Sequence, residues 1–278
     1  MSDYLKQEDY AEPQCLLCGP DPQSKEASIT RIPIGRVIEK LDDYFAKNDL
    51  AGAERHLRYW EKEALEGGDD RGCCTVCNEL MGLLRKLGRR DEALSYAEHT
   101  LALAEKLGLT QNVTGATALL NAGTVYKAFG EAAKGLLLFE RARAIYEAQL
   151  SPDDARLAGL WNNMALTLTD LGRYEEAGAL YDKAIALTAR TPGMQGDAAI
   201  SLLNKANLME ARDGLLDGDE AIGDCLEKAE ALLNDPALPR DGYHAFVCEK
   251  CAPTFGYYGR FAFSRELEER AAKIYAGT

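Results

Sequence analysis

Cys15/Cys18 in "CLLC" and Cys248/Cys251 in "CEKC", far apart in the chain, each form a C-x-x-C pair. Two such pairs have the ligand types of a four-sulfur zinc site, and the "CGP" that includes Cys18 has the form of a zinc-knuckle turn. Cys73, Cys74, Cys77 and Cys225 bring the total to eight. The N-terminal "MSDYLKQEDYAEPQ" is acidic and polar and lacks the apolar run of a secretory signal. The chain is therefore expected in the cytoplasm, with reduced thiols. A nucleophilic thiol needs a neighbouring His or a helix N-terminus to lower its pKa. The histidines are His56, His99 and His244, and no catalytic thiol is expected. Choosing between zinc and ordinary core requires the elements that carry these residues.

Bulk composition narrows the partners. Of the 278 residues, 46% are hydrophobic and 28% charged, a balance that folds. The net charge of -13 argues against nucleic acid, whose phosphates demand clustered Lys and Arg, and equally against an anionic membrane surface. No stretch is long and apolar enough to span a bilayer.

Helical periodicity runs from Gly35 onward, with no strand pattern. Gly88, Gly130 and Gly172 are 42 residues apart. Five residues after each comes a small residue, Ala93, Gly135 or Ala177; twelve after come Thr100, Ala142 and Ala184. Seven before Gly130 and Gly172 stand Gly123 and Ala165, and Ala206 continues that row. Small residues at these points let two helices approach closely.

The pattern resembles the tetratricopeptide repeat (TPR) family, in the long-repeat form of kinesin light chains and of a bacterial type. "LWNNMALTLTDLGRYEEAGALYDKAIAL", from Leu160, carries the resemblance most clearly. It implies an all-α, right-handed superhelical solenoid of about six helix-turn-helix repeats with a concave groove. The solenoid is placed at residues 35–278, with its fifth repeat stretched around "DGLLDGDEA" and a charged last helix as cap. Residues 1–34, with four prolines and little periodicity, read as an extended arm.

In that register Cys248 and Cys251 lie eleven and eight residues before Gly259, as Trp161 and Met164 lie before Gly172. They and Cys77 therefore read as buried core, and neither a metal nor a cofactor is expected.

Function is expected in the groove. Asn121, Asn163 and Asn204 recur once per repeat, stripes through Thr124 and Asn207 extend them, and Lys127 could add a positive charge to the early groove. Asn78 and Glu79 hold the corresponding place in the second repeat. This face is expected opposite the buried layer, where an amide ladder would grip the backbone of an extended peptide. Thr75, Thr117, Gly159 and Ile200 stand where a carboxylate clamp would need cations, so no clamp is expected. Arg85, Lys86 and Lys127 read as a solvated face, and the aromatics from Tyr243 to Phe263 as a core closing the solenoid. Pro253 and Gly256 are expected to bend the helix that holds them.

No P-loop, G-x-S-x-G, H-E-x-x-H or Rossmann glycine pattern occurs, so no enzymatic activity is expected. The expected function is a protein-interaction scaffold for a protein or peptide partner. Two alternatives remain: a peptide-sensing regulatory receptor, and self-assembly, including a homo-oligomer, through the N-terminal arm.

Overall fold

The computed structural model describes residues 29–277; most of the arm, with Cys15 and Cys18, lies outside the described residues. The described residues form twelve α-helices and no strand. In chain order they are α1 (Ile34–Ala46), α2 (Leu50–Glu66), α3 (Asp70–Lys86), α4 (Arg90–Lys106), α5 (Val113–Ala128) and α6 (Ala132–Gln149). There follow α7 (Ala155–Asp170), α8 (Tyr174–Ala189), α9 (Gln195–Asp217), α10 (Asp219–Leu233), α11 (Gly242–Tyr257) and α12 (Phe261–Ala276). Consecutive pairs give the six repeats of an all-α solenoid. The helices divide into two compact units, one holding α1–α4 through Gly108 and the other α5–α12 from Leu109. In the first, α3 packs on α4 and on α2; in the second, each first helix packs on its own partner and beside the first helix of the next repeat.

One turn chemistry recurs inside the repeats. Gly88, Gly130, Gly172 and Gly259 have φ of 71°, 86°, 71° and 78°, the left-handed region where a side chain is strained. Each lets the next amide bond back five residues: Arg89 to Leu84, Glu131 to Tyr126, Arg173 to Leu168 and Arg260 to Phe255. In the first repeat Asn48 (φ 53°) does the same, and Asp49 N donates to Tyr44 O. At the starts of α3, α5, α7 and α11 the side chains of Asp69, Asn112, Asp154 and Asp241 accept from the first-turn amides. Asp69, which is buried, also accepts from Ile32 N at 3.0 Å, and so ties the described end of the arm to α3.

The small-residue rows are where helices touch. Ala53, Ala93, Ala165, Ala177 and Ala206 are all 0% exposed. In the third repeat a Cβ on Gly135 would sit 2.8 Å from the carbonyl oxygen of Gly123, so α5 and α6 meet backbone to backbone. In the fifth repeat, α9 is broken at Gly214 (φ 81°, ψ 169°), within the stretched segment. α11 runs as one unbroken helix through Pro253. Pro253 is exposed, while Cys251, Ala252 and Phe255 around it are buried, so packing holds the helix despite the missing amide proton.

Cys73, Cys74, Cys77, Cys225, Cys248 and Cys251 are free thiols, all buried. The zinc site considered for the two C-x-x-C pairs needs Cys15 and Cys18, which lie outside the described residues. Next to Cys248, His244 is buried and its Nε2 accepts from Arg240 Nη1 at 2.5 Å. Burial first, then the nearby Arg240 and Arg270, hold its pKa down to about 4. The unfolded chain takes up that proton near pH 6.5, the folded chain only near 4, so stability is full above about 6.5 and falls as pH drops. Urea unfolding at pH 7.5 and pH 5 should show a loss of about 1–2 kcal/mol after allowance for screening, absent in His244→Gln. An equal loss in His244→Gln would assign the effect to other groups. Among the described residues no helix is long and apolar enough to cross a membrane.

Candidate functional site

The candidate peptide-binding residues fall in different units. Asn78 and Glu79 lie on α3 in the first unit; Asn121, Thr124, Lys127, Asn163, Asn204 and Asn207 lie on α5, α7 and α9 in the second. On α3, Asn78 Nδ2 donates to Glu79 Oε1 at 3.0 Å, and burial holds Glu79 above the usual carboxylate range against that bond.

In the second unit Asn121, Asn163 and Asn204 are half-buried and Asn207 is exposed, and neighbouring first helices meet along seams. Polar contacts stitch those seams. Lys127 Nζ pairs with Asp170 at 3.3 Å, linking α5 to α7. Asn204 Nδ2 donates to Asn162 Oδ1 at 3.0 Å, linking α9 to α7. Tyr258 donates to Asn207 Oδ1 at 3.0 Å and is also 2.8 Å from Glu210, linking the end of α11 to α9. Tyr243 donates to Asp197 at 2.8 Å. Asn163 Nδ2 donates to Gly159 O in its own helix, and the Thr124 hydroxyl to Leu120 O.

These bonds fix one half of several amides. An amide has two donors and an acceptor oxygen with two lone pairs, so a pinned amide retains capacity for a peptide backbone in a set orientation. The aromatics of the last repeat divide between core and surface. Phe255 and Phe263 are buried against each other, while Tyr243, Tyr257 and Phe261 are exposed.

A second cluster lies wholly in the first unit. Cys73 and Cys77, one turn apart on α3, have sulfurs 3.8 Å apart. His99 of α4 brings a ring nitrogen to them, and the three ligand atoms lie within 4.8 Å of one another. The hydrogen bond with Cys77 holds the Cys73 thiol below the ordinary range, against burial and with help from His99. The same contact, together with burial, holds Cys77 above it. A His beside a thiol was the condition set by the sequence for reactivity, and Cys73 meets it.

Comparison with known proteins gives the family. Residues 76–148 match one family model described as tetratricopeptide repeat, and residues 158–191 match a second of the same description. No curated protein matches. Among solved structures, Rap protein complexed with competence and sporulation factor has a TM-score of 0.56 at 17% identity, over 88% of this chain and 65% of that one. NprR in complex with its cognate peptide NprX has a TM-score of 0.55 at 16% identity, over 86% of this chain and 66% of that one. The nearly identical TPR-like repeats of a Podosopora anserina kinesin light chain give 0.50 at 18% identity, over 72% and 94%. Likenesses at this identity establish the fold, and with the two model matches they lead to one conclusion. The chain carries tetratricopeptide repeats over residues 76–148 and 158–191, within an all-α solenoid.

Proposed function

We propose that the chain is a non-enzymatic protein-interaction scaffold that holds an extended peptide or partner segment along the first helices of its second unit. The observation that carries this reading is the line of amides at Asn163, Asn204 and Asn207, three of them pinned by Gly159, Asn162 and Tyr258. Asn121, Thr124 and Lys127 on α5, and Asn78 and Glu79 on α3, offer further polar groups. A pre-oriented amide loses little freedom when it binds, so more of each hydrogen bond is expressed as affinity. The net charge of -13 favours a neutral or cationic segment over an acidic one. The fold likeness adds that a comparable repeat array, in NprR, holds a peptide.

The test compares wild type with the triple variant Asn121→Ala, Asn163→Ala, Asn204→Ala in capture from native extract, after matching their helicity. The captured partner is identified, cut down to its bound segment and titrated. Three amide contacts at about 1 kcal/mol each predict a loss of about 100-fold in affinity. Fold stability should change by only about 1–2 kcal/mol, chiefly through the Asn204–Asn162 bond. Equal affinity of the variant for the segment would move the binding surface elsewhere.

A further inference from the structure

The Cys73, Cys77 and His99 cluster has a fourth member. Glu61, on α2, places Oε1 3.9 Å from Cys77 Sγ. Its other oxygen accepts from the Tyr96 hydroxyl at 2.8 Å, and that hydroxyl accepts from Arg58 Nη1 at 3.2 Å. Three helices thus contribute two sulfurs and one imidazole nitrogen within 4.8 Å of one another, and beside Cys77 a carboxylate oxygen oriented from behind.

The distances match a tetrahedral ion. With metal–sulfur bonds of about 2.3 Å, two sulfurs at the tetrahedral angle stand about 3.8 Å apart. Cys73 and Cys77 stand at that separation. Metal–nitrogen and metal–oxygen bonds of about 2.0–2.1 Å put those atoms about 3.6 Å from each sulfur, close to the 3.9 Å between Glu61 and Cys77. A disulfide would instead require the sulfurs to close to about 2.0 Å. Both cysteines are buried and His99 is exposed, so the imidazole stands on the solvent side, where an ion would enter.

We propose that Cys73, Cys77, His99 and Glu61 form a binding site for a tetrahedral, thiophilic divalent metal ion, of which Zn(II) is the best fit. On binding, the two thiols lose their protons to solvent, and the ion joins α2, α3 and α4. The last repeat supplies a contrast. There Cys248 Sγ is 3.4 Å from His244 Nε2, the same residue types, but Arg240 occupies that nitrogen and Arg270 adds a second positive charge. That pair repels a cation, whereas Glu61 draws one to the cluster in the first unit.

The probe is Co(II) added to the reduced full-length chain. One equivalent should produce the ligand-field bands of tetrahedral Co(II) and a thiolate-to-metal charge-transfer band, both removed by one equivalent of Zn(II). Cys73→Ser/Cys77→Ser should abolish the bands, and Cys15→Ser/Cys18→Ser should leave them intact. Because Cys73 and Cys77 are buried, two accessible positions keep the test independent of folding. Tyr96→Phe should weaken Co(II) binding about 10-fold by releasing Glu61, and His99→Ala should weaken it further. The proposal is overturned if no charge-transfer band forms or if the band survives Cys73→Ser/Cys77→Ser. It is equally overturned if His99→Ala binds Co(II) as tightly as wild type.

Discussion

Replacing Phe255 by Ala is expected to destabilise the second unit by about 3–5 kcal/mol, the largest effect of any single truncation considered for this chain. Phe255 is fully buried in the cluster that joins α9, α10, α11 and α12. Its ring meets that of Phe263 edge to face, with centroids 4.8 Å apart. Truncation removes both its buried apolar surface and the edge-to-face contact, and it leaves a cavity between α11 and α12. Phe261→Ala removes the same atoms from a ring that is 67% exposed and should change stability by less than about 0.5 kcal/mol. Urea unfolding followed by circular dichroism measures both. If Phe255→Ala costs less than about 1 kcal/mol, the last repeat does not close on the core seen here.

Gly135→Val is expected to cost about 2–3 kcal/mol, although valine is the better helix former. Any Cβ at Gly135 lies 2.8 Å from the carbonyl oxygen of Gly123 and 3.4 Å from the amide of Lys127. Both are backbone atoms of α5 and cannot rotate away, so the helices must separate. Gly159, in α7, is the control, because a Cβ there meets nothing within 4 Å. Gly159→Ala should stabilise by up to about 1 kcal/mol through helix propensity alone. Thermal and urea midpoints that move in opposite directions for the two variants would confirm this. Midpoints that both rise would mean that α5 and α6 do not touch at Gly135.

Features set by backbone sterics were legible in the sequence. A left-handed residue in a tight turn is nearly always glycine, and a close helix crossing admits only small residues, so Gly88, Gly130, Gly172 and the alanine rows announced six repeats. Side-chain partners across helices were less legible. The small-residue row aligned Asn204 with Asn163, yet the bond forms to Asn162, a full 42 residues away. The rotation of α9 against α7 decides that, and periodicity alone leaves the rotation open. Cys73 and Cys77 are visibly one turn apart, but His99 and Glu61 arrive from other helices and carried no signal in their spacing.

The left-handed glycines also make the chain editable in whole periods. A deletion of residues 131–172 would join Gly130 to Arg173, an equivalent left-handed turn, and so run α5 directly into α8. Ala177 would then stand opposite Gly123 in place of Gly135, so its Cβ would set α5 and α8 further apart than α5 and α6 are, and Tyr181 would take the place of Phe139, its counterpart one period earlier. Each substitute already occupies that station in its own repeat, where Ala177 and Tyr181 are fully buried. Unequal crossing-over between such sites lengthens or shortens the protein by one complete building block, and each product keeps its reading frame and its turn geometry.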